Sequence, residues 1–241
     1  MWRPHYAEAM TMRTVDWTAM RERAGETGPE GLRERKKRLM RQQLSDTATG
    51  MFMERGFDGV RVSEIAEACG VSEKTVFNYF PTKEALILDR WQATTESLRT
   101  GLAEPGSTPV EAALRILDEE LGGMTAWLDA QEDPVQAGVL VKRFGALMRS
   151  TPSLRAHQHD ATDRLIAAAA EALARRAGLE PDDPEPRIAA TALLELWRIQ
   201  FQSLGRHLDG SRTPAQVREA VTADVRRAAR LIDTGLRTFG G

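Results

Sequence analysis

The segment from residue 62 to residue 86, VSEIAEACGVSEKTVFNYFPTKEAL, restricts the fold of this chain more than any other part of the sequence. It contains two short stretches in which apolar residues recur at helical spacing, and a glycine turn at Gly70 separates them. A serine stands at the start of each stretch, Ser63 and Ser72, where its hydroxyl can accept from free backbone N–H groups and cap the helix. We therefore predict a helix from Ser63 to Cys69 and a second helix from Ser72 to Phe80.

The two predicted helices have complementary faces. The positions expected to point inward are apolar: Ile65, Ala66, Val71, Val76 and Phe80. The opposite face of the second helix mixes two aromatic residues with polar ones: Glu73, Lys74, Thr75, Phe77, Asn78 and Tyr79. A helix pair of this kind, with the first helix bracing the second, can insert the second helix into a DNA major groove about 12 Å wide.

The side chains on this outer face have the chemistry needed to contact DNA. Lys74 can neutralise a phosphate or bind guanine, and Thr75 and Asn78 can bind base edges or phosphates. Phe77 can pack on a thymine methyl group, and the hydroxyl of Tyr79 can donate to the DNA backbone. We therefore predict that this face reads the base sequence.

Other residues of the segment are predicted to set the position of the helix on DNA. Ser63 lies at the start of the first helix, and Thr82 and Lys83 begin a further helix, where hydroxyl, amide and ammonium donors can bind phosphate. Glu73 repels phosphate unless it accepts from a cytosine amino group or pairs with a cation, so we assign it a tuning role.

The longer segment GFDGVRVSEIAEACGVSEKTVFNYFPTKEAL resembles the N-terminal domain of the TetR family of bacterial repressors, and the resemblance extends over about residues 34–90. The shared features are the Gly-Phe after the first helix, the Ile-Ala pair, Gly-Val-Ser at the turn, and Tyr-Phe followed by Lys-Glu. The resemblance implies a sequence-specific DNA-binding transcriptional regulator. Its DNA contacts carry over to Ser63, Lys74, Thr75, Phe77, Asn78, Tyr79 and Lys83.

Together with Ser72, Glu73 and Thr82, these residues form the predicted DNA-binding set. Many family members have a small residue where Lys74 stands, so the base preference of other members does not transfer to this chain. The charge distribution agrees with a DNA-binding end: the whole chain has a net charge of -2, whereas residues 31–83 carry ten Lys or Arg against seven acidic residues. The basic run from Arg33 to Arg41 is interpreted as a solvated helix face rather than an arm on the DNA backbone.

The pattern along the chain predicts an all-α fold of about nine helices. We expect a flexible arm over residues 1–31, a three-helix helix-turn-helix domain over 32–82, and an effector-binding and dimerisation domain over 83–241. The first helix is predicted at 32–55, and a long fourth helix begins at Thr82. Proline and glycine then divide the rest into helices at 109–129, 134–150, 153–178, 185–208 and 214–238.

The last two predicted helices have more apolar surface than one core is expected to cover. The first of them carries Ile188, Ala192, Leu193, Leu196, Ile199 and Leu204. The second carries Val217, Val221, Val225, Ala228, Ile232 and Leu236. Paired across a two-fold axis, they would form the four-helix bundle of a homodimer, as the resemblance also implies, and present two reading helices to successive major grooves of operator DNA. The alternative is that both stripes face the chain's own core.

TetR-like proteins usually enclose a small-molecule effector in the helical body, where binding reorients the fourth helix. The resemblance therefore implies an effector of unknown identity. Candidate pocket residues are Trp127, Arg143, Phe144, Met148, His157, Trp197, Gln200 and Phe201. Core packing is the alternative for each aromatic residue. His157 and His159 form an H-x-H pair, but no third ligand lies nearby in the sequence, so we predict no metal site.

The remaining features argue against other classes of protein. The single cysteine, Cys69, excludes an intramolecular disulfide. We find no glycine-rich phosphate loop, nucleophile elbow or His-Glu metal motif, and we predict neither an enzyme nor a cofactor. The sequence shows no membrane span and no signal-peptide pattern, which favours a cytoplasmic location. Two alternatives to a ligand-released repressor stay open: an activator, and a regulator without an effector.

Overall fold

The computed structural model describes residues 31–88 and 91–236, and these residues form ten α-helices and no β-strand. The helices are α1 (Leu32–Arg55), α2 (Val62–Ala68), α3 (Glu73–Tyr79), α4 (Ala85–Leu88), α5 (Trp91–Gly101), α6 (Pro109–Asp129), α7 (Pro134–Ser150), α8 (Pro152–Ala177), α9 (Pro184–His207) and α10 (Pro214–Leu236). The predicted all-α fold class is confirmed. The predicted arm over residues 1–31 lies outside the described residues, apart from Gly31.

The helices after α5 begin where the sequence places them because each starts with a proline. Proline fixes the backbone φ angle of the first helical turn and lacks the N–H group that would have no partner there. Capping bonds also fix these helix starts. At the start of α6, the Thr108 hydroxyl accepts from the Glu111 N–H at 3.2 Å, and the Glu111 carboxylate accepts from the Thr108 N–H at 2.7 Å. At the start of α7, the Asp133 carboxylate accepts from the Gln136 N–H at 2.9 Å.

The start of α2 differs from the sequence-based expectation. α2 begins at Val62 with Arg61 as its N-cap residue, so Ser63 lies inside the first turn and does not cap the helix. The predicted long fourth helix corresponds to α4 and α5, which lie on either side of residues 89 and 90. Those two residues are outside the described part of the chain. The hydroxyl of Thr82 does accept from the Ala85 N–H, at 3.2 Å, at the beginning of α4.

The chain divides into two compact units, with the boundary between Ile87 and Leu88. In the first unit, α1 provides the central apolar stripe because Leu44, Ala48 and Phe52 recur every four residues and are fully buried. The rings of Phe52 and Phe57 lie 4.9 Å apart between centroids. The short helices α2 and α3 therefore rest on a core that is largely supplied by α1 and the loop after it.

In the second unit, α8 packs against α5, α7 and α9. Its buried positions are mostly alanine: Ala161, Ala168, Ala169, Ala170, Ala172 and Ala174. Small side chains let helix axes approach closely, which explains how one helix contacts three others. α10 packs against α6 and α9 and completes this unit.

Six of the twelve residues in the apolar stripes of the last two helices are buried inside the chain itself. The buried members are Leu193, Leu196, Leu204, Val217, Val221 and Val225. Ala192, Ile199, Ala228 and Ile232 are half-buried, whereas Ile188 is 70% exposed. The side chain of Leu236 lies outside those described. The alternative in which the stripes face the chain's own core therefore accounts for these six residues, whereas the half-buried members and Ile188 leave apolar surface for a partner.

A carboxylate joins α9 to α10 at the polar edge of their contact. Asp224 of α10 accepts hydrogen bonds from the Ser203 hydroxyl at 2.6 Å, from Arg206 at 2.9 Å and from the His207 ring at 3.2 Å. Arg227 donates to its other oxygen at 2.7 Å. The Ser203 hydroxyl, the His207 ring and Arg227 together lower the pKa of Asp224 to about 2, and they outweigh the opposing effect of burial.

This network predicts an acid-dependent contribution to stability. Asp224→Asn should lower the free energy of unfolding at pH 7 by about 2 kcal/mol, because hydrogen bonds to a charged group contribute about 1.5–3 kcal/mol. The pKa of Asp224 falls from 3.8 to about 2 on folding, so the wild-type chain should lose this advantage as the pH drops between those values. Urea unfolding over pH 2–7 measures both effects.

Asp118→Asn is the matched control, because Asp118 and Arg218 form a 2.8 Å ion pair whose side chains are both 45% exposed. Such exposed pairs contribute about 1 kcal/mol or less. A difference between Asp224→Asn and the wild type that stays constant from pH 7 to pH 2 would contradict the assigned role of the carboxylate.

Candidate nucleic-acid interface

Helix α3 presents one side of its short length to solvent and the other to the core. Val76 and the cap residue Phe80 are each 1% exposed, and they lie one helical turn apart. The exposed residues sit at positions i, i+1, i+4 and i+5 of one face: Glu73, Lys74, Phe77 and Asn78. Phe77 is 45% exposed, which is unusual for a phenylalanine without a partner. This face combines charged, amide and aromatic groups of the kinds that can contact base edges and thymine methyl groups.

The N-terminus of α3 is ordered by its own hydroxyl groups. The Ser72 hydroxyl caps the helix by accepting from the Thr75 N–H at 3.1 Å, as the sequence predicts. The same oxygen lies 2.8 Å from the Thr75 hydroxyl. Thr75 and Tyr79 are half-buried on the flanks of the helix, whereas Ser72 is exposed. The two flanking residues therefore border the exposed face rather than form its centre.

An acidic residue stabilises the start of α2. The Glu64 carboxylate accepts from the Arg61 N–H at 2.7 Å and from the Arg55 guanidinium at 2.9 Å. Both bonds lower the pKa of Glu64, and the bond from the Arg61 backbone has the larger effect. Ser63 is exposed beside this cap. Its hydroxyl is available at the helix N-terminus, although it does not perform the capping role expected of it.

The Lys83 ammonium faces the interior of its own unit. Its Nζ donates to the carbonyl oxygen of Phe57 at 2.6 Å. It also lies 4.3 Å from the ring centroid of Phe57 and 5.6 Å from that of Phe52. Thr82, immediately before it, is exposed. The predicted phosphate contact by Lys83 thus involves a group that already has protein partners.

The Arg41 guanidinium also bonds to a protein carbonyl and lies over an aromatic ring. Its Nη1 donates to the Tyr79 carbonyl at 2.7 Å, and its guanidinium carbon lies 4.5 Å from the ring centroid of Phe80. Arg41 is half-buried, and burial lowers its pKa. The basic run therefore divides: Arg33, Arg35, Lys36 and Lys37 are exposed, as interpreted from the sequence, whereas Arg41 contacts the end of α3.

The candidate effector residues lie on four helices of the second unit, α6 to α9. Trp127 and Met148 are buried, and the half-buried members are Phe144, His157, Trp197 and Gln200. Arg143 and Phe201 are exposed. Phe201 of α9 packs over Gly145 of α7, where an added Cβ atom would lie 3.2 Å from the ring. The structure thus places one candidate, Phe201 of α9, against α7, the helix that carries Arg143, Phe144 and Met148.

A carboxyl group that sequence analysis did not select lies beside one of these candidates. Glu120 of α6 accepts from the Trp197 indole N–H at 2.9 Å and from the Thr94 hydroxyl at 2.8 Å, so it joins α5, α6 and α9. Burial raises the pKa of Glu120. A signal was present in the sequence, because Glu120 continues the inward-facing series Ala113, Ile116 and Leu117 at helical spacing.

Two properties of the described helices bear on other kinds of site. None of them is both long enough and apolar enough to cross a bilayer. No three His, Cys, Asp or Glu side chains lie close enough together within the described ranges to hold a metal ion, and the pair His157 and His159 gains no third ligand there.

Comparison with known proteins matches both units of the chain. Residues 44–89 match the model of bacterial regulatory proteins of the TetR family, and residues 124–227 match the MftR C-terminal domain. The transcriptional regulator TcmR of Streptomyces glaucescens is 29% identical over 73% of this chain and 77% of its own length. The transcriptional activator FasR of Mycolicibacterium smegmatis is 28% identical over 66% of this chain and 72% of its own length.

Among solved structures, Thermus thermophilus FadR in complex with lauroyl-CoA is 25% identical, with a TM-score of 0.46 over 81% of this chain and 94% of that one. The family models match the segment that forms the α3 surface and the segment that forms most of the helical body. The chain therefore belongs to the TetR family, and it is a DNA-binding transcriptional regulator rather than an enzyme.

Proposed function

We propose that this chain is a repressor that binds a palindromic operator as a homodimer and leaves it when a small molecule binds in the helical body. The exposed face of α3 carries the proposal, because two polar or charged residues and an exposed phenylalanine lie together there: Lys74, Asn78 and Phe77. We assign DNA binding to residues 32–82 and effector binding and dimerisation to 83–241. This activity places the protein in the cytoplasm with its operator.

Within the operator complex, the exposed residues of α3 have different roles. Asn78 can bind an adenine edge, and Phe77 can contact a thymine methyl group, so both would distinguish base pairs. Lys74 would bind a phosphate or guanine, while Glu73 would limit which bases are accepted beside it. Hydroxyl groups around the helix pair would fix its position on the phosphates: Ser63, Ser72, Thr75, Tyr79 and Thr82.

The homodimer is proposed to form through the outer sides of α9 and α10. Ile188 at the start of α9 is 70% exposed and Leu231 near the end of α10 is 87% exposed. Because half of the apolar stripe residues are buried within the chain, this interface would combine the remaining apolar residues with charged ones. A two-fold pair would hold its α3 helices about 34–36 Å apart, which is one turn of B-form DNA.

The effector is proposed to bind where α6, α7 and α9 carry aromatic side chains near polar groups. Trp197 and Phe201 lie one turn apart on α9, and Gln200 lies between them in the sequence. Trp127, Phe144 and Met148 would complete an apolar lining, with Arg143 and His157 as polar contacts. Aromatic and apolar walls with few polar groups are typical of small-molecule sites.

Activation is the second candidate for the regulatory role, because one relative is named a transcriptional activator. A reporter gene placed behind an operator that is selected from randomised duplexes distinguishes repression from activation. Repression predicts lower reporter output when the protein is expressed, and activation predicts higher output. Thermal-shift screening with acyl compounds, aromatic compounds and antibiotics then tests for an effector, whose binding should raise the unfolding temperature and weaken DNA binding.

Two substitutions on α3 should separate phosphate binding from base recognition. The probes are an operator selected from randomised duplexes and a 30-base-pair duplex of random sequence. Lys74→Ala should reduce the slope of log affinity against log salt by about 0.9 if the ammonium binds a phosphate. Asn78→Ala should change the preference among operator variants by about 1–3 kcal/mol. Fluorescence anisotropy between 50 and 200 mM NaCl measures both quantities.

Lys142→Ala is the control, because it removes one exposed lysine from α7 in the second unit. We expect its salt dependence to equal that of the wild type. If the wild type shows no preference for any selected duplex over random DNA, the proposed operator recognition is wrong.

The buried carboxyl beside Trp197 supplies a test of the helical body. Glu120→Gln keeps an acceptor for the Trp197 N–H and a donor for the Thr94 hydroxyl, but it removes the charge. Since burial raises the pKa of Glu120 above 4.5, the wild type should lose stability as the pH rises above that value. The variant should therefore melt higher near pH 8, by about 2–4 °C if the gain is about 1 kcal/mol.

The advantage of Glu120→Gln should disappear towards pH 4.5, where the wild-type carboxyl is protonated in the folded chain. Glu119→Gln, at the neighbouring exposed position, is the control and should change the free energy of unfolding by about 0.5 kcal/mol or less. A melting temperature for Glu120→Gln below that of the wild type at pH 8 would show that the ionised carboxylate stabilises the body.

A further inference from the structure

The first turns of α1 extend beyond the core of the first unit. Leu44 is the first buried residue of this helix, and residues 32–37 are all exposed. At 1.5 Å per residue, the stretch that precedes Leu44 is about 18 Å long. More than half of the side chains in this stretch are therefore exposed, and they are free to meet a partner outside the unit.

This extension is strongly basic. Between residues 32 and 41, Glu34 is the one acidic residue, and the cations are Arg33, Arg35, Lys36, Lys37, Arg38 and Arg41. Within residues 31–88 and 91–236, neither Arg33 nor Lys37 has a hydrogen-bond or ion-pair partner. Both charges are hydrated in the free chain and can exchange water for an anion.

Three of these cations lie along one side of α1. Arg33, Lys37 and Arg41 recur every four residues, which places them one above the other on a helix surface. We call them the α1 row. Measured along the helix axis, Lys37 lies about 6 Å and Arg33 about 12 Å from Arg41, in the direction of the N-terminus.

The last member of the α1 row fixes its position relative to α3. Arg41 donates to the carbonyl of Tyr79, the final residue of α3, at 2.7 Å, and its guanidinium lies over the ring of Phe80. The side of α1 that carries the row is therefore turned towards the C-terminal end of α3. Lys37 and Arg33 continue outwards from that end.

The backbone of a bound duplex would pass close to this end of α3. In the proposed operator complex, α3 occupies a major groove about 12 Å wide, which is bounded on both sides by phosphates. The hydroxyl of Tyr79 is assigned to one of them. Since Arg41 contacts Tyr79 directly, the row begins at the end of α3 that faces the backbone. DNA is the polyanion that complements such a row of cations.

We propose that Arg33 and Lys37 bind DNA phosphates beside the groove that α3 reads. The first turns of α1 then form a second contact surface, which is independent of base sequence. From the sequence alone, a solvated face was the preferred interpretation of this basic run, and the free chain has such a face. The bond between Arg41 and Tyr79 adds the position of the run beside α3. The inference rests on the proposed operator binding.

Two further cations of the same helix provide an internal comparison. Around the helix axis, Lys37 and Arg33 lie about 40° and 80° from Arg41, whereas Arg35 and Lys36 lie about 120° and 140° from it. All four residues other than Arg41 are exposed. A contact made by the α1 row therefore involves Arg33 and Lys37 more than Arg35 and Lys36.

Lysine acylation of the wild-type protein compares adjacent residues on different sides of α1. The free protein and its complex with the random-sequence duplex are treated with an amine-reactive ester, and each lysine is quantified by mass spectrometry. We expect Lys36 and Lys37 to react rapidly in the free protein. The duplex should slow the reaction of Lys37 several-fold and that of Lys36 less than 2-fold. Protection of Lys74 reports the α3 face separately.

The labelling pattern distinguishes the two proposals. Protection of Lys74 without protection of Lys37, or equal protection of Lys36 and Lys37, would overturn the role of the α1 row. Protection of Lys37 without that of Lys74 would support the row and contradict the proposed α3 face. Protection of neither would contradict both proposals.

A pair of double substitutions tests the contact by its salt dependence. Arg33→Gln with Lys37→Gln removes two charges from the row, and Arg35→Gln with Lys36→Gln removes two from the other sides of the helix. On the random duplex, the first variant should reduce the slope of log affinity against log salt by about 1.8, because each phosphate contact contributes about 0.9. Between 50 and 200 mM NaCl, its affinity should therefore fall about 12-fold less than that of the wild type. The control should change the slope by less than half as much.

Phosphate contacts carry no sequence information, so the ratio of operator affinity to random-duplex affinity should stay within 2-fold of the wild type. An equal change of slope in both double variants would show an effect of net charge alone and overturn the proposal. An unchanged slope in the Arg33 and Lys37 variant would overturn it as well. A lower ratio with an unchanged slope would show that the row acts through α3 instead of binding phosphate.

Discussion

The burial of Phe80 and Val76 is the contact on which the proposed DNA-facing surface depends. Helix α3 has only seven residues, and an isolated helix of that length is unstable in water. Its conformation is maintained by these two apolar side chains and by the Ser72 cap. Because successive helical residues are rotated by about 100°, fixing Val76 and Phe80 inside leaves Phe77 and Asn78 outside. The exposed surface proposed for recognition is thus a consequence of core packing.

The body of the fold was predictable to within one or two residues because proline marks the start of each helix from α6 to α10. The cap of α2 was assigned wrongly because two suitable side chains are adjacent. Ser63 has a capping hydroxyl, but the Glu64 carboxylate lies three residues after Arg61 and reaches its N–H. The fold class could be predicted from helical periodicity and chain-breaking residues alone. The cap of α2 instead depends on whether the side chain of Ser63 or that of Glu64 has the better geometry for accepting from a free backbone N–H group.

The exposure of a site residue was predictable where helical periodicity determines which way its side chain points. The contacts of long side chains were not predictable, because such a side chain can reach more than one partner. The exposed positions of α3 follow from the spacing of its apolar residues. The inward course of Arg41 and Lys83 does not, because a long cationic side chain can cover an apolar surface or extend into water from the same backbone position. At least three of the ten cations in residues 31–83 contact protein groups in the structure, since Arg55 is also paired, with Glu64.

The contact between Glu120 and Trp197 has a consequence for observing the second unit. An indole whose N–H is bonded to a carboxyl group is sensitive to any displacement of that group, since both its electric field and its access to water change. Trp197 lies on α9, its carboxyl partner on α6 and the hydroxyl beside it on α5. The emission of Trp197 therefore reports relative movement of three helices once the other four tryptophans of the chain are replaced.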